Sequence, residues 1–256
     1  IKKVVKSGNG GAVWVPRGWL GEEIVVLRPR LNVKDRIMKV ISSHLQDVIA
    51  VFLYGSYARD EQDKESDIDV MVVARKKFSI KEHKDMEVKV IELEKLRETI
   101  EKNPIMYMSG IQEGKAIINS SLLDELKKIK IDYKNFKWFI ETTLDHIKST
   151  KEFIDLDKLD GEHITSYSVV YSIILRLRGI FLIKSLMGKK KYSNKLFKKW
   201  LLGYNISALE YEAAYSVYRC VRDNKKKKYK IKISTAENLL NVLIKEVNSL
   251  KVKIDG

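Results

Sequence analysis

Two apolar runs of strand length, residues 48–54 and 68–73, flank a short and strongly polar link. The first run ends in Gly55-Ser56, and the second is entered through Asp67 and Asp69. Runs of this length, rich in Val, Ile and aromatic residues and bounded by Gly and polar clusters, predict β-strands. In a strand, residues i and i+2 point to the same side. Asp67 and Asp69 therefore present two carboxylates to one face, with Ile68 turned toward a core.

Two like charges held so close raise each other's pKa unless a cation lies between them. Paired Asp oxygens beside a phosphate-bearing substrate suit Mg²⁺. Upstream, Gly55-Ser56 supplies a tight turn and an N-cap for a helix whose first N–H groups can hold an anion. Gly55 lets the backbone approach closely, and the Ser56 hydroxyl adds a donor. A third strand over 86–91 offers Glu87. Three acids around two metal ions can activate an attacking hydroxyl and stabilise departing pyrophosphate.

Gly-Ser followed by Asp-x-Asp, in "GSYARDEQDKESDIDVMVV", resembles the signature of the polymerase-β-like nucleotidyltransferase superfamily, nearest in style to its minimal and kanamycin-nucleotidyltransferase-like members. "MEVKVI" resembles the superfamily's third-carboxylate strand. The resemblance covers roughly residues 33–130. It implies that Asp67 and Asp69 bind metal and triphosphate, and that Glu87 takes the third-acid role. It also implies that Gly55, Ser56 and Arg59 hold phosphates. The third acid is Glu where the superfamily more often has Asp, and Asp85, one pair earlier on the same strand face, is the alternative. The implied cofactors are Mg²⁺ or Mn²⁺ with an NTP donor, most simply ATP.

The flanks differ in texture. Residues 1–30 read as short strands at 4–5, 13–15 and 24–27, punctuated by Gly8-Asn9-Gly10-Gly11 and Pro16-Arg17-Gly18. This stretch resembles AbrB-type swapped-hairpin domains. That resemblance implies a homodimer and possible DNA contact through Lys2, Lys3, Lys6 and Arg17. Residues 131–256 carry helical periodicity over 133–154, 163–187, 193–202, 207–222 and 234–251, with a capping box expected at Ser234-Thr235-Ala236-Glu237. They resemble the helical substrate domain of several nucleotidyltransferases, in which a Lys or Arg reaches the triphosphate; Arg178 and Lys184 are the candidates. The expected fold is α+β: a β element over 1–30, a small mixed-sheet catalytic domain over 31–130 and an all-α bundle over 131–256.

Composition narrows the function classes. The chain has 256 residues and a formal net charge of +15, which favours polyanionic partners. Its one cysteine, Cys220, excludes an internal disulfide framework and fits a reducing, cytoplasmic compartment. Charges within the longest apolar stretch, Arg176, Arg178 and Lys184, argue against a membrane span. His and Cys show no zinc-ligand spacing, and no His follows an Arg at the spacing of the ribonuclease toxins that pair with minimal nucleotidyltransferases. The expected reaction is transfer of NMP, AMP foremost, to a hydroxyl of a small molecule, an RNA or a protein. The alternatives are a DNA-binding regulator or mobile-element accessory protein acting through residues 1–30, and an antitoxin-like protein adenylyltransferase.

Overall fold

A computed structural model describes residues 4–24, 32–63, 66–190, 192–225 and 229–256. Lys2, Lys3 and most of the strand expected at 24–27 lie outside them. The hairpin pairs β1 (Val5–Ser7) with β2 (Gly10–Ala12). No strand is described at 13–15. Gly8, at φ 54°, fixes the turn so that Ser7 faces Gly10, and the same register sets 13–15 against residues 2–4, of which 2 and 3 lie outside the described residues. Lys6 and Arg17 are exposed, and so are Trp14, Trp19 and Leu20.

Next come α1 (Val33–Ile41), capped by the Asn32 side chain, β3 (Val48–Tyr54), the single turn α2 (Gly55–Ala58), β4 (Ile68–Ala74) and β5 (Met86–Glu92). After them lie α3 (Leu93–Lys102), α4 (Met108–Glu113), β6 (Lys115–Ile118) and α5 (Ser120–Lys127). The sheet order is β5-β4-β3-β6, with β4 parallel to β5 and β3 antiparallel to both of its neighbours. β4 is central and buried on both faces. Ile68, Val70 and Val72 pack with Ile37 and Ile41 of α1. Met71 and Val73 pack with Leu96, Ile100 and Ile111 on the opposite face. Full burial of such side chains stabilises by about 1.5–3 kcal/mol each. Strand β6 was not expected: four residues of "KAII" show no alternation long enough to register.

Five helices follow: α6 (Lys137–Asp160), α7 (Tyr167–Met187), α8 (Asn194–Leu202), α9 (Ala208–Arg222) and α10 (Ile233–Asp255). They close around one apolar core. α7 starts later than 163 because buried Asp157 accepts hydrogen bonds from the backbone and hydroxyls of Thr165 and Ser166, holding them in a turn. The capping box expected at 234–237 is absent. Ile233 N–H donates to the Glu162 carbonyl and pins the start of α10 one residue early, and Glu237 pairs with Lys158 instead. The box occurs at Ser207 and Glu210, ahead of α9. Ile131 and Leu186 pack against both the helical core and one face of the sheet, joining the two. No helix among the described residues is long and apolar enough to cross a membrane.

Candidate active site

A cleft of about 1150 Å³ opens between the sheet and the helical part. Its floor follows from strand register. Asp69 on β4 is paired with Tyr54 on β3 and with Glu87 on β5, so these three side chains stand abreast on one face. Asp67 precedes the strand, is exposed, and lines the same cleft.

Gly55 follows Tyr54 with φ 71°. A Cβ built there would lie 1.9 Å from Asp69 Oδ2, so only glycine lets the turn close over that carboxylate. Ser56 lines the cleft but does not cap α2. The turn is entered directly from the strand, Tyr54 holds the N-cap position, and no side chain caps it. The Gly55 N–H donates to Glu113 Oε1 at 2.9 Å. Arg59 donates to Glu113 Oε2 at 2.7 Å and to Glu61 at 3.0 Å, and its guanidinium lies 5.7 Å from the Tyr192 ring across the cleft. Arg59 is thus locked between two carboxylates, which outweigh burial and hold its charge above the usual Arg range.

Electrostatic crowding is strongest at Asp69. Burial first, then Glu87 and Asp67, push its carboxyl up to about 6, with Lys89 and Arg59 opposing. Lys89, two residues along β5, ion-pairs with Glu87 at 3.1 Å. Burial works against the Lys89 ammonium, but Tyr54 and Glu87 outweigh it and raise its pKa. Burial drives the Tyr54 hydroxyl up to about 12, Lys89 opposes this, and Asp69 and Glu87 add to it. Asp85 is directed elsewhere: its carboxylate meets Arg36 of α1 at 2.5 Å and it does not line this cleft.

The helical part faces these acids with two stripes. On α7, Leu175, Arg178, Gly179 and Leu182 fall at i, i+3, i+4 and i+7; on α9, Tyr215, Tyr218, Arg219 and Arg222 do the same. Arg178 donates to the hydroxyls of Tyr192 (3.0 Å, through Nε) and Tyr218. Burial disfavours its charge, but the tyrosine oxygens prevail and hold its pKa high. Gly179 allows α7 to approach Phe139, whose ring lies 2.3 Å from where a Cβ would sit.

The structure therefore gathers Gly55, Ser56, Arg59, Asp67, Asp69, Glu87 and Arg178 around one cleft. It does not bring Lys184 there: its ammonium pairs with buried Glu246, which also accepts from Tyr204, and it sits 5.7 Å from the Trp200 ring. Lys6 and Arg17 lie in the hairpin region and do not line the cleft. Cys220 is buried and donates to the Lys225 carbonyl. Sequence reasoning missed Glu113, Lys89 and the α9 stripe. Only the last carried a readable signal, its helical spacing of Tyr and Arg.

The model of the family described as nucleotidyltransferase domain matches residues 34–156. A Methanocaldococcus jannaschii protein, provisionally named a protein adenylyltransferase, is 34% identical over 103 residues, which span 40% of this chain and 96% of the relative. Among solved structures, spectinomycin adenyltransferase from Enterococcus faecialis, determined with ATP and spectinomycin, is 16% identical. Its TM-score is 0.43, with 85% of this chain and 97% of that one covered. A nucleotidyltransferase-like protein from Exiguobacterium sibiricum is 10% identical, with a TM-score of 0.41 and 87% and 77% covered.

Proposed function

The chain belongs to the nucleotidyltransferase-domain family and is a nucleotidyltransferase, and from that premise we propose that it moves AMP from ATP to an acceptor hydroxyl and releases pyrophosphate. One observation carries this reading: Asp69 stands abreast of Glu87, with the Gly55 turn closed over its carboxylate. Crowded carboxylates of this kind match a divalent cation, Mg²⁺ or Mn²⁺. The donors are hard oxygens, and Asp69, which burial first and then Glu87 and Asp67 push upward, would gain a counter-charge from a bound cation. No three His, Cys, Asp or Glu side chains among the described residues close into a group that could hold an ion unaided. Nucleotide phosphates would have to complete the shell, the usual arrangement for Mg²⁺.

Asp67, Asp69 and Glu87 would hold the metal. When bound, it neutralises the charge of the phosphate oxygens. Glu87, exchanging its Lys89 partner, accepts the proton of the acceptor hydroxyl. The acceptor oxygen bonds to the α-phosphorus, the bond from that phosphorus to the bridging oxygen breaks, and the electron pair departs on pyrophosphate. Arg178 faces the leaving phosphates, and the Gly55-Ser56 turn sets how closely they approach. Most of the rate enhancement would come from positioning and electrostatics. The test is Asp69→Asn with ATP labelled at the α-phosphate, under Mg²⁺. Label transfer should fall by roughly 10³-fold or more, as for loss of a central electrostatic group. Undiminished turnover would place the site elsewhere.

A further inference from the structure

We propose that the acceptor is the hydroxyl end of a single-stranded nucleic acid, docked on the helical wall of the cleft by Arg176, Arg219 and Arg222. The proposal rests on the transfer reading above and adds the substrate class to it. Charge is divided unequally across the cleft. The sheet side carries the carboxylates already described. The helical side carries Arg176, Arg178, Arg219, Arg222 and Lys225 against a single acid, Asp223. That acid is shared by Arg222 at 2.7 Å and Lys225 at 3.6 Å.

Three of these arginines have no carboxylate within ion-pair distance among the described residues. Arg178 is held by two tyrosine hydroxyls. Arg176 donates to the hydroxyls of Thr142 at 3.0 Å and Thr143 at 3.3 Å and lies 5.3 Å from the Phe139 ring. Arg219 lies 5.9 Å from the Tyr215 ring. Neutral hydroxyls and rings orient these guanidiniums without supplying a counter-charge; for the partly buried Arg176 that is unfavourable, while Arg219 stays open to solvent and to an incoming anion. Such a wall is preorganised for an anion.

The donor accounts for only part of it. Arg178 and Arg59 both lie against Tyr192, at 5.9 and 5.7 Å, next to the Gly55 turn against which the transfer reading sets the donor phosphates. Arg176 is anchored on α6, and Arg219 and Arg222 close the C-terminal end of α9, so the cationic surface extends beyond one triphosphate. Rings accompany it: Tyr215, half-buried, stacks on Tyr211 at 5.3 Å, Tyr218 is buried, and Trp138, 59% exposed beside Phe139, offers the open face at the cleft. Cations that track a backbone, with aromatic faces on which bases stack, are what a single strand requires. A polycationic amino sugar requires carboxylates, and this wall offers one that is already shared by two cations.

The experiment uses the full chain. Binding of ATP with Mn²⁺ is measured first by calorimetry. Its absence would sink the transfer reading and this inference with it. A short single-stranded RNA, the same sequence as DNA, kanamycin and a tyrosine peptide are then each offered with α-labelled ATP. The label should land on the 3′ end of an oligonucleotide, the RNA and DNA arms telling which sugar is used. Three phosphate contacts predict that oligonucleotide affinity falls about 20-fold between about 50 and 200 mM salt. Arg176→Gln with Arg219→Gln should weaken binding at least tenfold and flatten that salt slope by about 1.4. Exposed Arg219→Gln alone, which leaves the core untouched, should flatten it by about 0.7. Asp69→Asn should still bind the oligonucleotide while losing label transfer. Label on kanamycin or peptide instead of the oligonucleotide, or a salt slope unchanged in the Arg219 variant, would overturn the proposal.

Discussion

Asp69→Asn should do two opposite things: end the chemistry and stabilise the metal-free protein. The carboxyl of Asp69 rises from 3.8 to about 6, through burial first and then Glu87. At about 1.4 kcal/mol per unit, full exclusion from water would make this a penalty of about 3 kcal/mol on the folded state. The group opens onto the cleft, so solvent screening reduces it to about 1–2 kcal/mol. The sign follows from proton binding. The folded state keeps the proton up to about pH 6, whereas the unfolded state releases it near pH 4. The penalty is therefore absent below about pH 4, grows between the two values and is complete above about pH 6. Asn is isosteric and uncharged. In EDTA at about pH 7.5 its melting temperature should exceed wild type by about 2–6 °C, and the gain should vanish near pH 4. Adding Mn²⁺ and ATP should reverse the order, because the ligands stabilise only the chain that binds them. Scanning calorimetry at the two pH values decides it. A variant less stable than wild type near pH 7.5 in EDTA, or a gain equal at both pH values, would refute the electrostatic reasoning.

Other perturbations separate the parts of the structure. Gly55→Ala adds a Cβ 1.9 Å from Asp69 Oδ2 at φ 71°; chemical denaturation should show a loss of about 1–3 kcal/mol, with ATP affinity falling alongside. Glu113→Gln leaves Arg59 with Glu61 alone and weakens the tie to the Gly55 N–H; it should lower kcat about 10–100-fold with a smaller change in melting temperature. Glu246→Gln removes the charge partner of Lys184, outside the cleft; it should destabilise by about 2 kcal/mol while leaving kcat of the folded fraction unchanged. Removing residues 1–30 should leave ATP turnover intact, since none of their described residues lines the cleft; loss of turnover would mean that the N-terminal element completes the site.

The sheet strands 48–54, 68–74 and 86–92 could be read in the sequence because hydrophobic period and bounding turns acted together, and both are local. The alignment of Asp69 with Glu87 needed one further inference, that the strands are neighbours. Glu113 could not be found this way: its partner Gly55 lies 58 residues away, and only the packing of α4 beside β3 brings them together. The choice between Arg178 and Lys184 was likewise not local. Six residues apart on one helix, they look equivalent until α10, 62 residues beyond Lys184, supplies Glu246. The turn and helix at Gly55-Ser56 form, but the Ser56 cap does not, for a different reason. Capping preference assumes a helix entered from a loop, whereas this one is entered from a strand through a positive-φ glycine.

The central claim is that the Gly55-Ser56 turn and the acids Asp67, Asp69 and Glu87 form one nucleotide and metal site. A crystal structure with Mn²⁺ and a non-hydrolysable ATP analogue tests it most directly, through anomalous density for the metal. The account predicts manganese bonded to Asp67 and Asp69, with Glu87 turned from Lys89 toward it and the phosphates against the Gly55 turn. Manganese and phosphates bound elsewhere, with Glu87 still paired to Lys89, would contradict it.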